Sequence, residues 1–313
     1  MSYDVMQKAL AKVNVNIPAS DDKIVIDENA NLNFIAWGDP QISSISPLRS
    51  SHFKSACLDV ANAEGKFDLI TMLGDITEYG RECEFQFTAA LLDTCKGKFD
   101  NLICVSGNHD VRLRNHKKQI EKFNAFLKSV KGGIAGPDDR YWFATTIKGY
   151  KFIMLGTDAA TFEGSYLSTA QLKWLDKELA KSKDDKAVFV LNHQTLKNTN
   201  GLPYTWLGKG KWRGSVGWQS DKLADVFSKY NNVIYITGHL HFGTNWYNFE
   251  DCGGFKSLCV PTVGVNNHGT PDNDGQGYVI SVYDDKIVMR ARIFAEGKWF
   301  PKDHPGAYIE VNI

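Results

Sequence analysis

The chain lacks several features that would place it at once in a common class of protein. Its 313 residues contain 36 basic and 36 acidic side chains, so the formal net charge is zero. This balance argues against a protein that binds duplex nucleic acid, although a local basic patch would escape the count. No uncharged apolar run approaches the roughly 18 to 20 residues that a membrane-spanning helix needs. We therefore expect a soluble globular protein without a membrane or duplex partner.

Signals for export and for disulfides are also missing. The N-terminal segment carries Asp4, Lys8 and Lys12 and has no apolar stretch of the kind that a secretory signal needs. The six cysteines, at positions 57, 83, 95, 104, 252 and 259, include no C-x-x-C pair. We interpret them as reduced thiols of a cytoplasmic protein rather than as disulfides or zinc ligands.

Short apolar runs alternate with amphipathic stretches through most of the chain. The runs have strand length and lie at 32–37, 67–73, 101–105, 151–155, 187–191 and 232–237. Between them, apolar residues recur at helical spacing, as at Phe53, Ala56 and Val60. Such alternation predicts an α/β fold in which helices cover a sheet.

The pattern changes near the C-terminus. From about residue 255 to 313, strand-like runs follow one another without helices, and Asp284-Asp285 is typical of a hairpin turn. We expect these strands to form a second, antiparallel sheet within a single domain, 1–313, that has an N-terminal extension at about 1–30. The segment 198–220 is rich in glycine and tryptophan without regular period, which predicts a long structured loop.

Five of the apolar runs end in side chains that bind metals or transfer protons. These ends read Gly38-Asp39-Pro40-Gln41, Gly74-Asp75, Gly107-Asn108-His109-Asp110, Asn192-His193 and Gly238-His239-Leu240-His241. Any one of them could be an ordinary polar turn. Ligands in α/β sheets bind outside the carboxyl ends of the strands, so all five together predict one shared crevice.

In this order, the five motifs resemble those of the calcineurin-like metallophosphoesterases. The resemblance covers about 200 residues, from Asp39 to His241. It implies a two-sheet β-sandwich flanked by helices, with four layers in the order αββα. It is specific for the superfamily and uninformative about the substrate.

The resemblance implies two divalent metal ions that are bridged by Asp75. Asp39 and His241 would hold the first ion, and Asn108, His193 and His239 the second. Carboxylate, amide and imidazole groups suit divalent first-row metals. Two such ions clamp a phosphate and generate a hydroxide nucleophile.

His109 follows the implied ligand Asn108 without being a ligand itself. We therefore expect His109 to be the general acid that protonates the leaving alcohol. Asp110 could orient the His109 imidazole.

The first motif departs from the family pattern. The family usually has Asp-x-His, whereas this chain has Asp39-Pro40-Gln41. Gln41 would be a ligand, or would bind a metal-bound water, and its neutral oxygen favours Mn²⁺ at this site, with Fe, Zn or Mg as alternatives. Purple acid phosphatases carry an iron-binding tyrosine three residues after the bridging aspartate. Glu78 occupies that position here, which argues against a tyrosinate-bound iron.

Substrate contacts are predicted mainly in the segment 198–220. Trp206, Trp212 and Trp218 could stack on a base or an aromatic leaving group while Arg213 attracts phosphate, or the tryptophans could form a small core of their own. Arg112 could contact phosphate or simply be solvated at a helix start. His268 is a further candidate at the rim of the site, with an ordinary loop histidine as the alternative.

The sequence thus predicts metal-dependent hydrolysis of a small-molecule phosphomonoester or phosphodiester, with nucleotides among the candidate substrates, and without a required protein partner. A protein serine/threonine phosphatase is an alternative, although the crowded loop argues against the open site that it needs. A catalytically silent metal-binding scaffold is another alternative, against which the intact motifs argue.

Overall fold

The computed structural model describes residues 2–16, 22–113, 115–201, 215–265 and 275–313. Across these ranges, no helix has the length and apolar character needed to span a bilayer. The α-helices are α1 (Tyr3–Leu10), α2 (Pro47–Ala61), α3 (Glu82–Leu92), α4 (Asn108–Val111), α5 (His116–Ser129), α6 (Thr169–Ala180) and α7 (Ser220–Phe227).

The strands form two sheets. The strands from the first half of the chain are β1 (Leu32–Trp37), β2 (Phe67–Met72), β3 (Phe99–Cys104), β4 (Phe143–Ile147), β5 (Tyr150–Met154) and β6 (Val188–Leu191). The remaining strands are β7 (Val233–Thr237), β8 (Phe249–Asp251), β9 (Lys256–Cys259), β10 (Gln276–Val282), β11 (Lys286–Ile293), β12 (Lys298–Trp299) and β13 (Tyr308–Asn312). All six apolar runs identified in the sequence lie on strands.

The first sheet has the order β12-β11-β10-β1-β2-β3, and β13 pairs with β11. Strands β1, β2 and β3 are parallel, so their carboxyl ends lie at one edge. The second sheet has the order β4-β5-β6-β7-β9-β8, and β6 and β7 are parallel neighbours. Each of the two sheets therefore has parallel strands whose carboxyl ends lie side by side.

The expectation of a separate C-terminal sheet is wrong. Strand β10 pairs antiparallel with β1, so the C-terminal strands extend the first sheet instead of forming the second. Strand β9 joins the second sheet next to β7. The apolar pattern marks a segment as a strand, but the partner depends on which neighbouring edge is open. The hairpin at Asp284-Asp285 is confirmed between the antiparallel strands β10 and β11.

Three hydrophobic clusters separate four layers. Strand β1 is buried on both faces, with Phe34 and Ala36 in the cluster between the sheets and Ile35 and Trp37 in the cluster beneath the helices. Helices α2, α3 and α5 cover the first sheet, and α6 and α7 cover the second. The predicted αββα sandwich is confirmed.

Candidate metal centre

The ends of five strands converge at one edge of the sandwich. Asp39, Asp75 and Asn108 follow β1, β2 and β3 of the first sheet, whereas His193 and His239 follow β6 and β7 of the second. All five residues are buried. The site is therefore built across the junction of the two sheets.

Two groups of possible metal ligands share one carboxylate. The ligand atoms of Asp75, His193 and His239 lie within 4.8 Å of one another, and so do those of Asp39, Asp75 and His241. Asp75 Oδ2 is 3.2 Å from His193 Nε2, and Asp39 Oδ1 is 3.3 Å from His241 Nε2. Asp75 is therefore the residue common to both groups.

The backbone around these side chains adopts unusual conformations. Five of the predicted ligands have positive φ: Asp39 (54°), Gln41 (39°), Asp75 (48°), His239 (73°) and His241 (51°). Non-glycine residues rarely adopt the left-handed region, and such strain is concentrated at functional sites.

Two glycines allow the strand ends to approach one another. Gly74 has φ of 89°, and a Cβ atom there would lie 2.5 Å from His193 Nδ1. A Cβ atom on Gly107 would overlap both Asp75 Oδ1 and the Asp75 backbone nitrogen. Side chains at either position would push ligands apart.

Hydrogen bonds fix the orientation of Asn108 and His193. His193 Nδ1 lies 2.6 Å from the Leu73 carbonyl oxygen. This oxygen accepts a hydrogen bond from the Nδ1–H group, and the bond directs Nε2 into the site. Asn108 Oδ1 is 3.1 Å from His193 Nε2. The Asn108 amide nitrogen donates to the Phe162 carbonyl at 3.2 Å and to Glu163 Oε2 at 3.3 Å. The amide oxygen of Asn108 is thereby turned towards the histidines.

Gln41 lies inside this cluster as well. Its Nε2 donates to Asp75 Oδ2 at 3.3 Å. Its Oε1 is buried and accepts no hydrogen bond from the described part of the chain. A buried oxygen without a donor incurs a desolvation cost, which a cation would remove.

The pKa values reflect this crowding of charge. Burial lowers the pKa of His193, but the Asp75 and Asp39 carboxylates outweigh it and raise the pKa to about 9. Burial and the neighbouring His193 hold the pKa of His239 well below its usual value. Burial raises the pKa of Asp75, yet His193 and His109 bring it well below the normal range. At neutral pH and without cations, we therefore expect the His193 imidazole to carry a second proton, whose positive charge offsets the neighbouring carboxylates.

His109 lies beside the cluster with a defined ring orientation. Its backbone N–H donates to Asp75 Oδ1 at 2.8 Å. Its Nδ1 lies 3.0 Å from the Glu78 carbonyl oxygen and 3.3 Å from Glu78 Oε1. Arg112 Nη2 is also 3.1 Å from Nδ1, but the two Glu78 oxygens can only accept, so we place the ring proton on Nδ1. Nε2 then faces Asp75 Oδ2 at 3.9 Å.

The expectation that Asp110 orients the His109 imidazole is wrong. The Asp110 carboxylate accepts from the backbone N–H of Gly107 at 2.9 Å, of Ile76 at 3.2 Å and of Thr77 at 2.9 Å. It also accepts from the Thr77 hydroxyl at 2.8 Å. Burial and the nearby Asp75 raise its pKa to about 6. Asp110 thus connects the loops after β2 and β3, and Glu78 takes the place expected for Asp110 at Nδ1 of His109.

Of the predicted substrate-binding residues, Arg112 is the one whose side chain the structure describes. Arg112 Nη1 pairs with Glu163 Oε1 at 2.7 Å, and its guanidinium lies 4.7 Å from the centre of the exposed Phe162 ring. Trp206, Trp212, Arg213 and His268 lie outside the described residues, as does the side chain of Trp218. The backbone N–H of Val216 donates to the Thr195 carbonyl at 2.9 Å, close in sequence to His193.

Three residues at this site were missed by sequence reasoning. Glu78 contacts Nδ1 of His109. In the sequence, its position three residues after Asp75 served only to argue against an iron-binding tyrosine. Arg49 forms an ion pair with Glu78. Burial lowers the pKa of Arg49, although the negative charge of Asp75 opposes this shift. Glu163 lies in a loop without a motif, and no sequence signal pointed to it.

Comparison with known proteins agrees with this geometry. A model of the calcineurin-like phosphoesterase family matches residues 49–243. The chain belongs to the calcineurin-like phosphoesterase family. Membership implies divalent metal ions, and the donor set around Asp75 fits them: carboxylates, imidazoles, an amide oxygen and the buried Oε1 of Gln41.

Two curated relatives are similar over part of their length. A probable glycerophosphodiester phosphodiesterase of Arcobacter nitrofigilis is 27% identical over 191 residues, which cover 59% of this chain and 60% of the relative. A probable cyclic nucleotide phosphodiesterase of Rhodococcus erythropolis is 23% identical over 244 residues, which cover 76% of this chain and 74% of the relative.

Solved structures show the same fold. A dimetal phosphatase from Danio rerio superposes with a TM-score of 0.63 at 17% identity, covering 90% of this chain and 99% of that one. A purple acid phosphatase from yellow lupin seeds gives 0.64 at 15% identity, covering 90% of this chain and 53% of that one. The calcineurin-like phosphoesterase fold thus extends across nearly the whole chain.

Proposed function

We propose that this phosphoesterase hydrolyses a phosphodiester of a small molecule with two divalent cations bound around Asp75. The observation that carries the proposal is the shared position of Asp75 in both groups of possible ligands. The names of the two curated relatives, both phosphodiesterases, favour a diester over a monoester.

The proposed ligands divide into two sets around the shared carboxylate. Asp39, Gln41 and His241 join Asp75 in one set; Asn108, His193 and His239 join it in the other. Bound there, two cations supply Lewis-acid activation of water and stabilise charge on the phosphoryl oxygens. The oxygen of Gln41 in place of a second imidazole favours Mn²⁺ over Zn²⁺ in the first set.

The remaining residues handle the proton and the substrate. Glu78 accepts the Nδ1 proton of His109 and thereby turns Nε2 towards the reacting group. In its doubly protonated, cationic form the ring can deliver the Nε2 proton to the leaving alcohol and is left neutral. Arg112 is the proposed contact for a phosphate oxygen.

All six cysteines are free thiols, which supports a cytoplasmic location.

Metal analysis combined with turnover tests the proposal. Purified protein loaded with Mn²⁺ should hold two ions per chain and hydrolyse bis(p-nitrophenyl) phosphate faster than p-nitrophenyl phosphate. Faster hydrolysis of the monoester would overturn the diester assignment. Two bound ions without turnover of either compound would instead support the scaffold hypothesis.

A further inference from the structure

Glu163 joins a ligand of the candidate metal centre to the nearest arginine. One carboxylate oxygen accepts from the Asn108 amide at 3.3 Å, and the other pairs with Arg112 Nη1 at 2.7 Å. The Arg112 side chain is 12% exposed and the Glu163 side chain 18%, so water screens this ion pair only weakly. A negative charge is therefore fixed beside Asn108, one of the proposed metal ligands.

The arginines that the structure describes near the centre carry little uncompensated charge. Two arginines of the described chain lie beside it, and each is paired with a carboxylate: Arg49 with Glu78, and Arg112 with Glu163. A phosphomonoester is a dianion near neutral pH, whereas a phosphodiester is a monoanion. The second charge of the monoester would need a free cation, and Glu163 already neutralises Arg112.

From this arrangement we infer that Glu163 is a specificity-determining residue that favours monoanionic phosphodiesters over dianionic monoesters. The inference rests on the proposed function. Glu163 acts by neutralising Arg112 and by repelling the extra charge, and it takes no part in bond breaking. A carboxylate that supports Asn108 alone would not change the preference between the two charge states.

The substitution Glu163→Gln tests the inference because it removes the charge at nearly constant size. Asn108 keeps its hydrogen bond to the Phe162 carbonyl, so the metal content should not change. The ratio of kcat/KM for bis(p-nitrophenyl) phosphate to that for p-nitrophenyl phosphate should fall roughly tenfold, mainly through faster monoester hydrolysis. Glu178→Gln is the matched control, because Glu178, on α6, is a similarly covered carboxylate (14% exposed) that pairs with Lys151 and Lys181.

Binding of non-reacting anions provides a readout that does not depend on turnover. Titration calorimetry on the Mn²⁺-loaded protein at about pH 8 would compare inorganic phosphate, mainly a dianion, with dimethyl phosphate, a monoanion. Glu163→Gln should tighten phosphate binding roughly tenfold and leave dimethyl phosphate within about threefold. Equal changes for both anions would overturn the inference. Loss of metal without tighter phosphate binding would also overturn it and assign Glu163 to support of Asn108.

A double-mutant cycle with Arg112→Gln isolates the ion pair. In the Arg112→Gln background, Glu163→Gln should give at most about a third of its effect on phosphate affinity, because there is no guanidinium to release. A fully additive result would overturn the role of the pair. If the unmodified protein hydrolyses neither ester, the proposed function fails; if it is active and Glu163→Gln leaves the ratio unchanged, the inference alone fails.

Discussion

The left-handed backbone of Asp39, Asp75 and His239 has an energetic cost. A non-glycine residue in this region costs on the order of 1 to 3 kcal/mol. The surrounding contacts hold these conformations; for example, the backbone N–H of His239 donates to Asp39 Oδ2 at 2.9 Å. The position of each of these side chains therefore depends on its backbone conformation as well as on its rotamer.

His109 should matter most when the leaving group is poor. His109→Ala should reduce turnover of an alkyl ester roughly 10²- to 10⁴-fold, because protonation of a basic alkoxide is lost, and should reduce turnover of a nitrophenyl ester much less. Steady-state kinetics on both esters checks this result. The backbone N–H that binds Asp75 remains in the variant, so metal content should not change.

His304→Ala is the control for this prediction, since the His304 ring contacts the Thr244 carbonyl instead of the centre. Equal losses with both leaving groups would contradict a role for His109 as an acid.

Metal binding should release a proton from His193. The pKa of about 9 means that the imidazole is protonated at neutral pH in the metal-free protein, whereas a ligand must be neutral. The apparent affinity for Mn²⁺ should therefore rise as the pH increases towards about 9 and then level off. Calorimetry in buffers of different ionisation enthalpy measures the released protons. An affinity that does not change from neutral pH upwards would contradict the assignment.

The residues of the proposed centre were predictable to the extent that they follow apolar runs directly. Asp75 and His193 do so, and a strand end marks their position. Asp110 and Glu78 are both acidic residues near His109 in the sequence, and nothing in their spacing reveals which one contacts the imidazole. Glu163 reaches the site only through the tertiary position of its loop, so no local pattern could have found it.

At the scale of elements, the loops after β2 and β3 form one unit. The Asp110 carboxylate joins Thr77 to Gly107, and Gly107 in turn packs against Asp75. The position of Asp75 therefore depends on two strand ends as well as on its own turn.

Gly107→Ala should disrupt this unit. The added methyl would overlap the Asp75 carboxylate and backbone, which should cost about 1 to 3 kcal/mol and lower metal occupancy. Thermal unfolding and metal analysis measure the two effects. Gly97→Ala is the control, because no atom lies within 4 Å of a Cβ built there, and its stability should change by less than about 0.5 kcal/mol. Full metal occupancy in Gly107→Ala would contradict the packing argument.

Strand positions were predictable from apolar runs, but strand partners were not. The runs near the C-terminus were expected to form their own sheet, yet β10 pairs with β1 over the register Leu32↔Val282 to Ala36↔Tyr278. Both strands are almost fully buried, so their residues show no polar face that would indicate which sheet they join.

At the scale of the whole molecule, the centre links the two sheets. His193 and His239 come from the second sheet and meet Asp39 and Asp75 from the first. Bound cations would therefore join the two halves of the sandwich and stabilise the folded state by mass action.

Mn²⁺ should raise the thermal stability of the protein. At a free Mn²⁺ concentration of about 100 times the dissociation constant, the free energy of unfolding should rise by roughly 2.7 kcal/mol. This gain corresponds to an increase in Tm of roughly 5 to 10 °C. Asp75→Asn should abolish most of this increase because both ions lose a ligand. Asp100→Asn, at an exposed ion pair with Lys66, should retain it. Differential scanning fluorimetry with and without Mn²⁺ compares the variants, and equal increases in all three proteins would contradict the shared role of Asp75.

The pairing of β10 with β1 also determines how the chain can be divided. A fragment that stops before residue 276 would contain all seven proposed ligands, yet the main chain of β1 would lack its partner on one side. Such an uncovered apolar edge promotes association with other polypeptides. Expression of that truncated fragment should yield aggregates. The smallest usable unit must therefore retain β10, although this strand lies beyond the residues that the family model matches.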